Sequence, residues 1–358
     1  MLLDIFTSSV LLSFISLFFT LGVTCLVFVL IVKKFKINQQ DHTTQLRDKC
    51  QKLIAEIIFE EKLTPESMEM EQYFLKNRAR KQLFLGELLS LHKNLQGEFA
   101  TTIEQYYLSK GFDKLSFKKL KSEKTYNILQ GLDELVEMKN HDSIKILENL
   151  LHQTIDYTLK NYLMIAIIKL NPESGLRGLF NFDNYLTDWL QLRIIKILDE
   201  LKFINPPPLL KWIEKGGSFA IFGCRLTAYT KAEKDIPLLK KLINKNNVPL
   251  KIEAIRTLGI LDAQEVNEQL IKIYFHENLV VKVAILNTLG MFKNPNNFNF
   301  FVSCSKSNTH ETQLLALNGI NLLLEDGTLS PDKSNTQTRY FNQLNKINAI
   351  KLKDKWTK

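Results

Sequence analysis

The sequence has few of the residues that mark redox, metal or nucleotide chemistry. Four cysteines occur in 358 residues, with no C-x-x-C pair and no clustering with histidine, which argues against a disulfide framework or a zinc ribbon. The six histidines are scattered and form no H-E-x-x-H motif. No Walker loop, G-x-G-x-x-G or G-x-S-x-G occurs. The sequence therefore predicts no metal, no cofactor and no enzymatic activity.

Strand signals are also scarce. No run of alternating apolar and polar residues is followed by a turn and a second such run, and the Asp-Gly at 326–327 has no strand after it. Helix starts recur instead, with a capping residue, a proline and an acid in succession at 64–66 and at 171–173. These features predict an all-α protein.

The charge is unbalanced, with 47 Lys and Arg against 38 Asp and Glu, or +9. An excess of this size favours anionic surfaces but does not choose among nucleic acid, phospholipid headgroups and an acidic protein.

One long apolar run stands out. The 23 residues from Val10 to Val32 carry no charge, and a helix of that length covers roughly 34 Å, enough to cross a bilayer core of about 30 Å. A cleaved signal peptide is the rival interpretation, but Asp4 precedes the run without any Lys or Arg and no A-x-A-like site follows. Lys33 and Lys34 follow directly, so the positive-inside rule predicts a single-pass inner (plasma) membrane protein, with its N-terminus outside, residues 10–32 in the lipid bilayer and the C-terminal part cytoplasmic.

An internal repeat organises the rest of the chain. The stretch from Val248 to Leu270 aligns with the stretch from Leu279 to Phe301, and in this alignment Lys251 falls on Lys282 and Gly259 on Gly290. Both pairs are offset by 31 residues, and a constant offset of that length is typical of repeat architectures. Each stretch predicts a helical hairpin, and such a hairpin cannot bury both of its faces alone. The predicted starts of the second helices are marked by Lys160, Arg193, Arg225, Lys251, Lys282 and Gln313.

The repeats predict a continuous array of hairpins over residues 125–326. A helical juxtamembrane region at 33–124 precedes the array, and a basic segment at 327–358 follows it. The short tail at 1–9 lies before the predicted transmembrane helix. The predicted fold is thus all-α, an N-terminal transmembrane helix followed by an α-α superhelix.

The array resembles HEAT repeats of the short bacterial kind, an ARM-type solenoid. The best match to their unit V-R-x-x-A-x-x-A-L-G-x-L-x-D is "LKIEAIRTLGILDAQEVNEQL" at 250–270. The resemblance spans Thr125 to Asp326, and it implies a solenoid used chiefly as a protein-binding scaffold.

The resemblance also implies roles for particular side chains. In such families the basic residue at the start of the second helix pairs with an acidic or amide side chain a few residues earlier and bridges neighbouring repeats. The candidate bridging residues here are Asp156, Asp188, Asn246 and Glu277, before Lys160, Arg193, Lys251 and Lys282. In this interpretation the row of basic residues, including Arg225, is structural.

A functional interpretation concerns other positions. Exposed residues of the second helices line the concave face of HEAT arrays, and we predict that Lys196, Arg256 and Asn287 bind an acidic partner there. Trp189 and Trp212 are expected to be buried between helices.

These observations predict a membrane-anchored scaffold or adaptor that mediates protein–protein interaction at the inner membrane. The alternatives are a membrane-tethered nucleic-acid-binding protein that uses the basic surfaces, or a HEAT-like enzyme. Such an enzyme would be related to DNA glycosylases, which the predicted anchor disfavours, or to phycobilin lyases. The identity of the partner and the oligomeric state do not follow from the sequence.

Overall fold

The fold is helical throughout. A computed structural model describes residues 2–60, 63–182, 185–307 and 309–325, and for 2–19 and 35–43 it describes only the helical backbone. Within these ranges the regular elements are α-helices and short 3-10 turns, so the all-α prediction is confirmed. Two compact units form, Met1–Ser143 and Ile144–Lys358. The predicted domain limits stay predictions, and the basic segment 327–358 lies outside the described residues.

The predicted membrane anchor falls on the first helix, α1 (Leu2–Phe59). Within the described part of the chain, no helix has an apolar stretch long enough to cross a membrane. The side chains of residues 10–19 lie outside the description. The prediction of a single-pass inner-membrane protein with a cytoplasmic C-terminal part is therefore wrong.

Unit 1 continues from α1 through five helices. These are α2 (Pro65–Lys76), α3 (Arg78–His92), α4 (Glu98–Ser109), α5 (Asp113–Leu120) and α6 (Thr125–Glu137). Thr64 caps α2 by accepting from the Ser67 N–H at 3.2 Å, as its hydroxyl and the following proline predict. The core is aromatic, and the rings of Phe84 and Phe112 stack at 5.7 Å.

Two groups of polar side chains inside unit 1 are paired. The imidazole of His92, which is buried, lies between Glu104 and Glu137, with 3.0 Å from a ring nitrogen to a carboxylate oxygen on each side. The buried carboxylate of Glu134 accepts from the Ser116 hydroxyl at 2.8 Å. Because each group has a partner, the cost of burying it is largely offset.

Unit 2 is a row of six helical hairpins. The first helices are α7 (Ile144–Gln153), α9 (Pro172–Gly178), α11 (Leu209–Lys215), α13 (Ile236–Leu242), α15 (Asn267–Tyr274) and α17 (Phe298–Cys304). The second helices are α8 (Tyr157–Leu170), α10 (Asp188–Glu200), α12 (Gly217–Thr230), α14 (Val248–Ile260), α16 (Leu279–Met291) and α18 (His310–Glu325). Each second helix packs on the next one, from α8 to α18. This is the stacked arrangement that the repeat predicted.

The corners of the hairpins repeat with the period found in the sequence. Lys231, Asp262 and Lys293 are evenly spaced along the chain, and all adopt the left-handed conformation with φ of 48° to 50° just after a second helix. A 3-10 turn then leads into the next first helix. Asn247 and Asn278 cap α14 and α16 through equivalent bonds to N–H groups three residues on. The period therefore applies to the backbone as well as to the side chains.

Two buried threonines set the axial register between neighbouring second helices. The hydroxyl of Thr257 in α14 donates to the carbonyl of Cys224 in α12 at 3.2 Å. The hydroxyl of Thr288 in α16 donates to the carbonyl of Ile255 in α14 at 3.1 Å. The packing of α14 on α12 and the packing of α16 on α14 thus have the same register. Gly259 lies at this contact, since a Cβ there would be 3.1 Å from the Thr288 side chain.

Close packing at Gly223 predicts a stability difference between two glycines. A Cβ at Gly223 would lie 2.4 Å from the Cβ of Trp212, which is buried and donates to the Pro207 carbonyl. Gly223→Ala should lower the free energy of unfolding by about 1–3 kcal/mol through overpacking. The control Gly290→Ala meets its nearest atom only at 3.5 Å and should be neutral or stabilising by up to about 1 kcal/mol. Equal urea midpoints for the two variants would contradict this packing.

The cysteines give a second prediction. All four are free, and burial raises the pKa of the Cys50 and Cys224 thiols to about 12 each. At pH 8 their thiolate fraction should then be on the order of 1 in 10,000, against about 1 in 4 for an ordinary thiol. Iodoacetamide should modify exposed Cys25 in the native protein and modify Cys50 and Cys224 only in urea. Mass spectrometry of the peptides tests this, and rapid native modification of Cys224 would show that its site is open.

Candidate functional site

The strongest surface pattern of unit 2 is a row of polar residues that crosses the second helices. Each member is the ninth residue of its helix, and the threonine bonds bring the equivalent positions of α12, α14 and α16 side by side. The row consists of Lys196, Arg225, Arg256, Asn287 and Asn318, and we call it the polar row. It contains all three residues that the sequence analysis assigned to partner binding, and it adds Arg225 and Asn318.

An apolar row lies on either side of the polar row. One is formed by the fifth residues of the same helices, all aliphatic, namely Leu192, Ile221, Ile252, Val283 and Leu314. The other is formed by the thirteenth residues from α12 onward, Tyr229, Ile260, Met291 and Leu322. None of these side chains is fully buried, and Leu192, Ile260 and Met291 are about half or more exposed at 60%, 49% and 49%. The surface therefore alternates apolar, polar and apolar across the helices.

Arg225 ties three second helices together beneath this surface. Its guanidinium donates to Asp188 at 2.8 Å and to Gln191 at 2.9 Å, both on α10, and to Glu253 on α14 at 3.1 Å. The hydrogen bonds and charges of Glu253 and Asp188 raise the pKa of Arg225 against the opposing effect of its burial. Arg225 is therefore a structural member of the polar row.

The remaining members of the polar row are more open. Lys196 is exposed and lies 3.8 Å from Glu200 one turn later, a pair that solvent weakens. Arg256, Asn287 and Asn318 are exposed, and no ion pair joins Arg256 to a carboxylate of the described residues. These three side chains can offer hydrogen bonds to a ligand without first breaking an ion pair within the described chain.

Three of the predicted ladder residues occupy one shared position. Lys160, Lys251 and Lys282 are the fourth residues of α8, α14 and α16. The ammonium of buried Lys251 pairs with Glu277, which the sequence analysis placed beside Lys282. The ammonium of Lys282 lies instead 5.4 Å from the ring centroid of Tyr274. The ion pair of Glu277 thus joins neighbouring repeats, but its lysine lies one repeat earlier than Lys282, the predicted partner.

The two arginines of the predicted ladder lie elsewhere. Arg193 is the sixth residue of α10 and Arg225 the ninth residue of α12, and the fourth residues there are Gln191 and Ala220. Arg225 therefore does not share the helical position of the three lysines, although it joins neighbouring second helices through Asp188 and Glu253. The step from Arg225 to Lys251 was already shorter than the regular step from Lys251 to Lys282. The physical reason is that α12 begins at Gly217, so Arg225 lies two turns into the helix.

The other two predicted bridging residues act locally or have no described bond. Asp156 caps α8 by accepting from the N–H groups of Thr158 and Leu159 at 2.8 and 3.4 Å. Asn246 is exposed, and the cap of α14 is its neighbour Asn247. Asp156 therefore supports the start of its own helix.

Two residues of the surface were not anticipated. Asn318 lies in the last repeat, where the sequence match is weak. Its distance along the chain from Asn287 equals the distance from Arg256 to Asn287, and this regular spacing could have predicted its place in the polar row. Trp189, expected to be buried, is 58% exposed on the second position of α10, whereas Trp212 is buried as expected.

Comparisons with known proteins add little to this description. No protein-family model matches the chain. No curated protein matches it in sequence. Among solved structures, the complex of CpcE and CpcF of phycocyanin lyase from Nostoc sp. is 16% identical, with a TM-score of 0.31 over 65% of this chain and 94% of that chain. An engineered protein is 11% identical, with a TM-score of 0.34 over 77% of this chain and 88% of that chain. At these scores the likeness carries no argument.

Because Arg225 is largely buried, we predict that it is coupled to Glu253 in the free energy of unfolding more strongly than an exposed ion pair is coupled. In a double-mutant cycle on stability, Arg225→Gln and Glu253→Gln should couple by about 1–3 kcal/mol. The reason is that Arg225→Gln leaves the largely buried carboxylate of Glu253 without its cation, and Glu253→Gln removes one of the two carboxylates that bind the guanidinium. The matched cycle Lys196→Gln and Glu200→Gln, at side chains 65% and 53% exposed, should couple by less than about 0.5 kcal/mol. Urea unfolding measures both, and equal couplings would rule out a structural role for Arg225.

Proposed function

We propose that the protein is a non-enzymatic scaffold that binds an extended segment of a partner protein along the polar row. The observation that carries this proposal is the polar row between two apolar rows. In an extended chain, side chains point alternately to opposite sides, with a period of two residues. Such a chain lying along the polar row would direct its side chains alternately into the two apolar rows and its peptide groups toward the polar row.

The side chains of the polar row suit peptide groups. A primary amide such as that of Asn287 or Asn318 has both a donor and an acceptor, and can therefore bond the C=O and the N–H of a peptide. Arg256 adds donors for a carbonyl or a carboxylate. Neighbouring helices pack about 8–10 Å apart, which equals about three residues of extended chain. The five members of the row would thus accommodate about a dozen residues.

The two apolar rows supply affinity. Their side chains are only partly covered by unit 2, and a ligand that covers them removes further apolar surface from water at roughly 25 cal/mol per Å². Apolar residues also recur at the same helical positions, over five helices in one row and four in the other, unlike the scattered single exposures expected of any folded protein.

The nucleic-acid alternative gains no support from this surface. Lys196 and Arg225 are paired with carboxylates, so neither can neutralise a phosphate without losing its partner. Beside the row, Asp199 and Glu200 are exposed on α10. A protein segment rich in uncharged apolar side chains is therefore the ligand we propose.

Photocrosslinking tests this proposal. p-Benzoylphenylalanine in place of Val283, in the aliphatic row of α16, should yield discrete protein adducts in cells, and mass spectrometry should place them in one extended segment. The double variant Asn287→Ala/Asn318→Ala should weaken these adducts roughly tenfold, because two hydrogen bonds are each worth about 0.5–1.5 kcal/mol.

The matched control is Asn299, an exposed asparagine on the first helix α17 of the same unit. The variant Asn299→Ala should leave the adducts unchanged, and the photoreactive residue placed at 299 should give none of them. Adducts that form equally at 299, or that persist in the double variant, would disprove binding along the polar row.

A further inference from the structure

A cavity of about 280 Å³ lies in unit 2 among α7, α8, α9 and the 3-10 turn at Leu179–Asn181. The cavity is separate from the polar row because α8 contributes no member to that row. The ninth residue of α8 is Ile165, which is apolar and buried. Its volume is close to the lower limit for small-molecule sites in proteins, roughly 300 Å³. The cavity is thus large enough for a small metabolite.

Apolar side chains form one part of the cavity wall. They come from three different elements, and each is fully or nearly fully buried. They are Leu151, Met164, Ile167 and Phe182. Met164 and Ile167 lie one turn apart on the same face of α8.

Polar side chains of opposite charge form another part. Glu148 and His152 lie one turn apart on α7, Lys160 is on α8, and Ser174 and Asn181 belong to α9 and the turn after it. The hydroxyl of Ser174 donates to the carboxylate of Glu148 at 3.2 Å, which fixes that carboxylate at the wall. The site thus combines a carboxylate, an ammonium and an imidazole.

Lys160 is available to a ligand. No carboxylate among the described residues lies within ion-pair distance of its ammonium, which is 5.9 Å from the ring centroid of Tyr157. Its equivalent in the repeat, Lys251, is by contrast buried and paired with Glu277. The fourth position of the second helix therefore holds a structural ion pair at Lys251 and a lysine without a carboxylate partner among the described residues at Lys160.

Two glycines of α9 shape the cavity in different ways. A Cβ at Gly175 would lie 2.8 Å from the Cα of Ile168, so the absence of a side chain there lets α9 approach α8. A Cβ at Gly178 meets nothing nearer than the Met164 methyl group at 4.0 Å. Gly178 has ordinary helical angles, φ −59° and ψ −28°, so any side chain is allowed there, and a large one would enter the cavity.

We propose that this cavity binds a small zwitterion with an apolar side chain, that is, an apolar α-amino acid. Its carboxylate would pair with the ammonium of Lys160, and its ammonium with the carboxylate of Glu148. Its side chain would contact the apolar wall. A wall that offers one fixed charge of each sign matches a ligand with both signs better than a simple acid or a simple amine.

Calorimetry on the purified full chain tests this assignment with L-leucine, L-methionine and L-phenylalanine as probes. At least one should bind saturably at millimolar concentrations. The analogues 4-methylpentanoate, which lacks the amine of leucine, and 3-methylbutylamine, which lacks its carboxylate, should bind at least tenfold more weakly than leucine. Absence of binding by all three amino acids would overturn the proposal, as would equal binding of the analogues.

Variants locate the site. Gly178→Leu should fill the cavity and abolish binding, and Lys160→Met should weaken it at least tenfold. Lys282→Met is the matched control, because Lys282 has the same helical position in α16 and also lies near a tyrosine ring, and it should bind as the wild type does. Unchanged circular dichroism and unfolding temperature show that each variant is folded. Wild-type affinity in folded Gly178→Leu, or equal loss in both lysine variants, would place binding elsewhere.

Discussion

The architecture of unit 2 depends on the stacking of one second helix on the next at a fixed register. A single hairpin of about thirty residues leaves an apolar face open, and only the neighbouring hairpin covers it. The buried hydroxyls of Thr257 and Thr288 donate to carbonyl groups of the preceding helix, and a buried donor that loses its acceptor is costly. Sliding by one residue would therefore break these bonds as well as misalign the apolar faces.

The polar row is a direct consequence of this register. Because equivalent positions lie side by side, a residue type that recurs at the ninth position becomes a continuous line across several helices. The same logic explains why the fourth position can be a buried pair at Lys251 and an open cation at Lys160. The fourth and ninth positions of the repeated frame thus each hold a structural pair in one repeat, at Lys251 and Arg225, and a more open polar side chain in others.

The helical hairpins and their period were predictable because Lys251 and Lys282 lie in nearly identical local sequences. The degenerate repeats were harder. Arg225 was placed by its charge at the start of a helix that in fact begins at Gly217, since local sequence does not show where a glycine-led helix begins. Pairing between repeats also escaped prediction, because Glu277 is nearer in sequence to Lys282 than to Lys251, its partner in space.

Features without a sequence period could not be predicted in the same way. The membrane anchor was inferred from composition alone, and the described part of α1 does not provide a span of the required length. Trp189 was expected to be buried because large aromatic residues usually are, but its position on α10 lies on the open surface. The cavity at Lys160 depends on how closely α9 approaches α8, which is set by contacts of Gly175 that no local pattern reveals.

The left-handed corners at Lys231, Asp262 and Lys293 have a consequence for how such a chain can change in length. They bound two successive modules of equal length, residues 232–262 and 263–293. A chain that lost residues 232–262 would join one corner to the next and bring Thr288 to the carbonyl of Cys224, an acceptor already used in the same way by Thr257. Loss of one whole module would therefore keep the threonine register and shorten the polar row by one helix, but it would remove Glu253 and leave Arg225 with its partners on α10.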